Sequence, residues 1–212
     1  MNTIVTENLN KSVKGKVILD QINLSLQSGN VYGFVGKNGS GKTMLFRVIC
    51  GLVRPTSGNV YVNEKELYKE KNFRPNIGVV IENGGLYPEF TGLKNLQFLA
   101  KVNNKIGLSE IKDAILRVGL DPEDKRIVKK YSLGMRQRLT IAQAIMEKPD
   151  IILLDEPTNG LDESGIQLFH QLIKEEVERG ALIAIASHSK EEISLLCTHR
   201  YTMKNGRVHE GE

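Results

Sequence analysis

The segment "GKNGSGKT" at residues 36–43 has the spacing G-x-x-x-x-G-K-[ST], which lets backbone N–H groups surround a phosphate. Gly36, Gly39 and Gly41 are expected to take positive φ, turning successive N–H groups toward one anion. Lys42 would set a cation at the β- and γ-phosphates of a nucleotide, and the Thr43 hydroxyl would reach Mg²⁺. A helix beginning here would add the positive end of its dipole. A second cluster is "IILLDEP" (151–157), an apolar run that ends in Asp155 and Glu156. Two carboxylates at the mouth of a buried strand repel each other unless a cation lies near them. Asp155 is suited to hold Mg²⁺ opposite Thr43, and Glu156 to orient an attacking water or take its proton. His188 follows the apolar run "ALIAIAS" and is a candidate sensor of the γ-phosphate. The bland alternatives are a Gly-rich hairpin loop, a strand-end turn and a hydrogen-bonded structural histidine; the strand-loop-helix context disfavours the first, and together the motifs favour nucleotide chemistry.

Such residues must be presented at the ends of strands. "TIVTENL" (3–9) and "VILDQINLSL" (17–26) alternate apolar and polar residues, which predicts half-exposed antiparallel strands. "NVYGFVG" (30–36) predicts a strand running into the Gly-rich loop, and "KTMLFRVICGL" (42–52) a helix leaving it. After strands at 59–63 and 76–82 the periodicity turns helical from about 92 to 146, with Ser109 expected to cap a helix. Strand 151–155, helix 162–179, strand 181–187, a short helix at 189–196 and two closing strands complete the order. Strands alternating with helices imply a mainly parallel sheet with ligands at its carboxyl ends.

The bulk numbers set bounds. At 212 residues the chain is expected to form one domain, with a core from 1–82 and 147–212 and a helical subdomain at about 83–146. A net charge of +4 gives little reason to expect nucleic acid. Cys50 and Cys197 stand alone in apolar context, so buried, inert thiols in a reducing compartment are expected. No signal-peptide pattern opens the chain, and the longest apolar runs fall far short of the roughly 20 residues that span a bilayer. The expected location is cytoplasmic, with any membrane role borrowed from a partner.

One segment remains without a use in a single nucleotide site: "YSLGMRQR" (131–138), a second glycine-bearing, basic helix start. With it in hand the chain resembles, over essentially its whole length, the ATP-binding subunit of an ABC transporter. "GKNGSGKT" is similar to Walker A, "IILLDE" to Walker B, "TNGLD" (158–162) to the D-loop, "SHS" (187–189) to the switch-histidine loop and "YSLGMRQR" to the signature motif. The resemblance implies a P-loop NTPase fold of the ABC type, with an antiparallel β-subdomain and an inserted helical one. It implies ATP and Mg²⁺ at Gly36, Lys37, Asn38, Gly39, Ser40, Gly41, Lys42, Thr43 and Met44. It also implies a second copy of the chain whose Ser132 and Gly134 meet the γ-phosphate, so that ATP joins the dimer. A multi-span permease would dock on "NGGLYPEFTGL" (83–93) through Leu86, Tyr87 and Phe90, and the motif style is closest to bacitracin-type and lantibiotic-immunity exporters.

Three departures from the family pattern stand out. Leu133 and Met135 replace the usual Gly and Gln of the signature. Glu82 stands where relatives have a Gln that senses Mg²⁺ and the γ-phosphate. Val13 stands where relatives stack an aromatic ring on adenine, and Tyr32 is a candidate substitute. A soluble ABC protein without a transport role is the alternative, although the second cassette, long insertion or Cys cluster usual in such proteins is missing. A small P-loop kinase would have no use for "YSLGMRQR", and Glu156 counts against a non-hydrolysing regulator.

Overall fold

A computed structural model describes residues 2–69, 73–81 and 85–211. The chain opens with β1 (Thr3–Val13), β2 (Lys16–Gln27) and β3 (Val31–Val35), followed by α1 (Lys42–Ile49). Next come β4 (Ser57–Val62), β5 (Lys65–Glu66) and β6 (Ile77–Val80). Helices α2 (Gly92–Asn103), α3 (Leu108–Arg117) and α4 (Leu133–Ile145) then precede β7 (Ile151–Asp155). The order ends with α5 (Glu163–Glu178), β8 (Leu182–Ser187), α6 (Lys190–Leu196), β9 (His199–Lys204) and β10 (Arg207–Glu210).

Among the described residues the strands form two sheets. One is antiparallel, in the order β2-β1-β4-β5; the other runs β10-β9-β3-β8-β7-β6. In the larger sheet all neighbours are parallel except β9 and β10. Its central strands are apolar without interruption because both faces are covered. Ile152 and Leu154 of β7 pack with α2–α5 on one face, whereas Ile151 and Leu153 pack with α1 and the antiparallel sheet on the other. This topology sets the carboxyl ends of β3, β8 and β7 side by side.

Two local expectations are corrected. Helix α1 stops at Ile49 and does not run to Leu52, because Gly51 takes φ +86° while its N–H bonds Val48. Ser109 lies inside α3; the cap is Gly107, whose N–H donates to the Glu110 carboxylate at 3.0 Å. A glutamate reaching back from the third helical position does the work expected of a serine.

The segment before α2 is stitched to the one before α4. Val128 N–H bonds Phe90 O at 2.8 Å and Lys129 N–H bonds Pro88 O at 2.9 Å. Asn95, almost fully buried, accepts from Tyr87 N–H at 2.7 Å and donates to the carbonyls of Tyr87 and Thr91, each at 3.0 Å. Leu86, expected to be exposed, is half-buried against the core. Tyr87 is 55% exposed and forms a ring cluster with Phe90 and Phe98, capped by the Lys94 ammonium 4.4 Å from the Phe90 ring.

Candidate nucleotide site at the strand ends

The loop after β3 returns to the sheet as α1, and its glycines act in two different ways. Gly39 and Gly41 take φ +79° and +112°, as expected. Gly36 does not take positive φ; a Cβ there would lie 2.6 Å from both Met203 O and Ser40 Oγ, so space and not φ demands glycine. The loop is anchored from below, where Gly206 N–H bonds Ser40 O at 3.1 Å. Lys37, Asn38 and Gly39 are exposed at its mouth. Helix α1 starts from left-handed Gly41 with no side-chain cap, and its first main-chain bond is Leu45 N–H to Gly41 O. The N–H groups of Lys42, Thr43 and Met44 are thus at a helix start that no side chain fills, where an anion is favoured.

Lys42 is 6% exposed, and its ammonium donates to Gly36 O at 2.6 Å and lies 3.7 Å from Glu156 Oε1. Pairing a buried cation in this way avoids a large desolvation cost. The Thr43 hydroxyl donates to Asp155 Oδ2. Glu156, directly after Asp155, takes φ +49°, rare for a non-glycine residue, and the two carboxylates have different partners, Thr43 for Asp155 and His188 for Glu156. Glu156 Oε2 lies 2.8 Å from His188 Nδ1. A carboxylate only accepts, so Nδ1 carries the hydrogen and Nε2 is left toward solvent on a side chain that is 60% exposed. Lys42, Thr43, Asp155, Glu156 and His188 therefore meet, as their sequence context implied. Glu82 lies outside the described residues.

Ser132 caps α4, accepting from Met135 N–H at 3.1 Å while its own O–H remains to donate. A Cβ on Gly134 would meet Gly160 O at 2.6 Å, and Leu133 lies over Gly160. Gln137 Nε2 donates to Pro157 O at 2.9 Å and to Glu156 O at 3.4 Å. The start of α4 is thus fastened to the segment 156–160 of its own chain. Gln137 was not foreseen as part of the site; its type and position are visible in the sequence, but its two carbonyl partners are not.

Two further expectations are decided. Tyr32 cannot serve a base: it is buried, its hydroxyl accepts from Gln27 N–H at 2.9 Å, and its ring stacks on His199 at 4.9 Å. Val13, at the end of β1, is 40% exposed. Cys50 and Cys197 are free; Cys197 is buried as expected but Cys50 is only half-buried, and desolvation raises both thiols, that of Cys197 to about 12. No helix among the described residues is long and apolar enough to cross a membrane.

A parallel sheet whose neighbouring strand ends carry a Gly-rich phosphate loop, a carboxylate pair and a histidine defines a P-loop nucleotide-binding protein. Residues 19–159 match the family model described as "ABC transporter", and the chain belongs to that family. It is 45% identical over 205 residues to YybJ of Bacillus subtilis, an uncharacterized ABC transporter ATP-binding protein, covering 97% of this chain and 94% of that one. It is 39% identical over 218 residues to the bacitracin transport ATP-binding protein BcrA of Bacillus licheniformis, covering 100% of this chain and 69% of that one. The fold matches the ATP-binding cassette MJ0796, a dimeric post-hydrolysis state bound to ADP and Pi, with TM-score 0.91 and 24% identity over 99% of this chain and 98% of that one. The chain is accordingly an ATP-binding cassette of the ABC transporter family.

Proposed function

We propose that this cassette hydrolyses MgATP within a dimer of two copies and so powers a membrane permease that exports an antimicrobial peptide or drug. The observation that carries the reading is the convergence of Lys42, Glu156 and His188, with Lys42 Nζ 3.7 Å and His188 Nδ1 2.8 Å from the two oxygens of one carboxylate. Lys42 would exchange its loop carbonyl for phosphate oxygens, with the N–H groups of residues 36–44 around the same anion. Glu156 would then orient water or accept its proton, held by His188.

The residues present also fit Mg²⁺. Thr43 and Asp155 are hard oxygen donors already in contact, and among the described residues no group of three or more His, Cys, Asp or Glu could hold a metal. Mg²⁺ is ordinarily held in this way, by one or two carboxylates together with substrate phosphates. When bound it would neutralise developing phosphate charge.

Ser132 keeps an O–H to donate, and its helix dipole points outward at an exposed N-terminus; both suit the γ-phosphate of a partner's ATP. The chain reads as one domain, residues 1–212, with a helical subdomain at about 83–146, and it would sit at the inner face of the membrane through its permease. The name of its relative BcrA supports antimicrobial-peptide export. The test is Glu156→Gln, which keeps the shape of the site but loses the base. ATP should bind, turnover should fall about 10²–10⁴-fold, and size-exclusion chromatography should show a dimer with ATP and none with ADP. A variant that stays monomeric at saturating ATP would refute the sandwich.

A further inference from the structure

We infer that Glu192 is a positioning residue for hydrolysis: through Ser187 it sets the turn that brings His188 to Glu156. The inference rests on the proposed role of His188.

His188 is exposed and lies between two residues that are both tied down. On one side Ser187, 1% exposed at the end of β8, donates its hydroxyl to Glu192 Oε2 at 2.7 Å. The same Ser187 oxygen accepts from Ser189 N–H at 3.1 Å. On the other side Ser189 caps α6, its hydroxyl accepting from Glu192 N–H at 3.2 Å. An ordinary capping box would bring the glutamate at the third helical position directly onto the N–H of the cap residue. Here the Ser187 hydroxyl is inserted between them, so one carboxylate fixes the residues on both sides of His188. A two-sided clamp of this kind fixes where a side chain leaves the backbone.

The base of the clamp is rigid. Ile193, next to Glu192, is fully buried, and a Cβ on Gly33 would lie 2.3 Å from Ile193 Cγ2 and 2.8 Å from Cys197 Sγ. Helix α6 therefore sits directly on β3, the strand that feeds the phosphate loop. Glu192 ties the histidine turn to the same strand that positions Lys42, so His188 and Lys42 reach the two oxygens of Glu156 from one common support. The other Glu192 oxygen is buried without a hydrogen-bond partner, so the carboxylate is held at its Oε2 by Ser187.

The test compares Glu192→Ala, Glu192→Gln, Ser187→Ala and the Glu192→Ala/Ser187→Ala pair, each checked for melting temperature and ATP affinity. Glu192→Ala is expected to lower kcat between about 10- and 100-fold, with ATP affinity within about twofold, as misplaced catalytic groups do. Glu192→Gln should stay within about threefold of the parent, because its amide oxygen still accepts from Ser187. Ser187→Ala, which also removes the acceptor of Ser189 N–H, should be at least as slow as Glu192→Ala, and the double variant should be no worse than Ser187→Ala, since both cut the Ser187–Glu192 link. In NMR spectra the imidazole signals of His188, assigned by their loss in His188→Gln, should move in both alanine variants and stay in place in Glu192→Gln. Unmoved His188 signals, a full rate in folded Glu192→Ala, or additive losses in the double variant would overturn the proposal. A parental rate for His188→Ala would instead overturn the role given to His188 itself, whatever the spectra show.

Discussion

Replacing Gly36 by alanine separates two reasons for glycine in one loop. At Gly36 the new Cβ would meet Met203 O and Ser40 Oγ at 2.6 Å, about 0.8 Å inside the 3.4 Å at which ordinary contact begins. Ser40 Oγ can rotate away, but Met203 O belongs to β9, which is hydrogen-bonded between β3 and β10, and cannot. The loop itself must therefore lift. Overpacking of this kind costs about 1–3 kcal/mol, and the displaced N–H groups are the ones that would face the phosphates. If that cost falls on the bound geometry, ATP affinity drops roughly 5- to 150-fold.

Gly39 meets nothing within 4 Å and needs glycine only for φ +79°, and Gly29, remote from the loop mouth, does so at φ +77°. Alanine at either should cost about 1–2 kcal/mol of stability. Gly29→Ala should leave ATP affinity unchanged. Isothermal titration with ATP, paired with thermal unfolding, distinguishes the three. Gly36→Ala binding ATP within about twofold of the parent, at an unchanged melting temperature, would refute the steric reasoning.

Lys42→Ala removes a buried cation from beside Glu156 and should abolish ATP binding; near-parental affinity by titration would make the loop purely structural. Val13→Tyr should tighten adenine nucleotides by about 0.5–1.5 kcal/mol through a stacking face, and the parent should discriminate poorly between ATP and GTP in competition binding. Burial holds the Cys197 thiol near 12, so a disulfide reagent at pH 8 should label it only after unfolding; rapid labelling in the folded protein would show that α6 opens. Tyr87→Ala with Phe90→Ala should spare basal ATPase activity but abolish permease pull-down and transport in cells, and transport at the normal rate would refute the dock.

The parallel core and its strand-end residues were legible because fully buried strands and phosphate loops leave short contiguous signatures. "IILL" has the length and composition of a strand covered on both faces, which sets the acidic pair directly after it at the strand's carboxyl end. Local caps were less legible: Ser109 has the right residue type, yet Glu110 closes on Gly107 and moves the helix start two residues earlier. Gly36 misled in the opposite way, since a Gly-rich motif suggests φ when the constraint is the carbonyl of a residue far along the chain. Tyr32 failed as a base-binding ring because one fully apolar strand face does not say which of its aromatics the sheet will bury.

What no linear pattern carries is the join between the signature helix and the carboxylate strand. Gln137 and Gly134 both act on main-chain groups of 156–160, one by donating to carbonyls and one by leaving room for a carbonyl. Main-chain partners impose no residue type, so nothing in "DEPTNG" announces them. These bonds link the start of α4 to the backbone that holds Glu156 at φ +49°. On the proposed function, the helix that would meet one nucleotide is thereby tied to the carboxylate that would act on another. The stitching of 88–91 to 127–129 ties the aromatic cluster to the segment that leads into the same helix. Force applied at Tyr87 and Phe90 would thus pass through main-chain hydrogen bonds to Ser132 and, by way of Gln137, to Glu156.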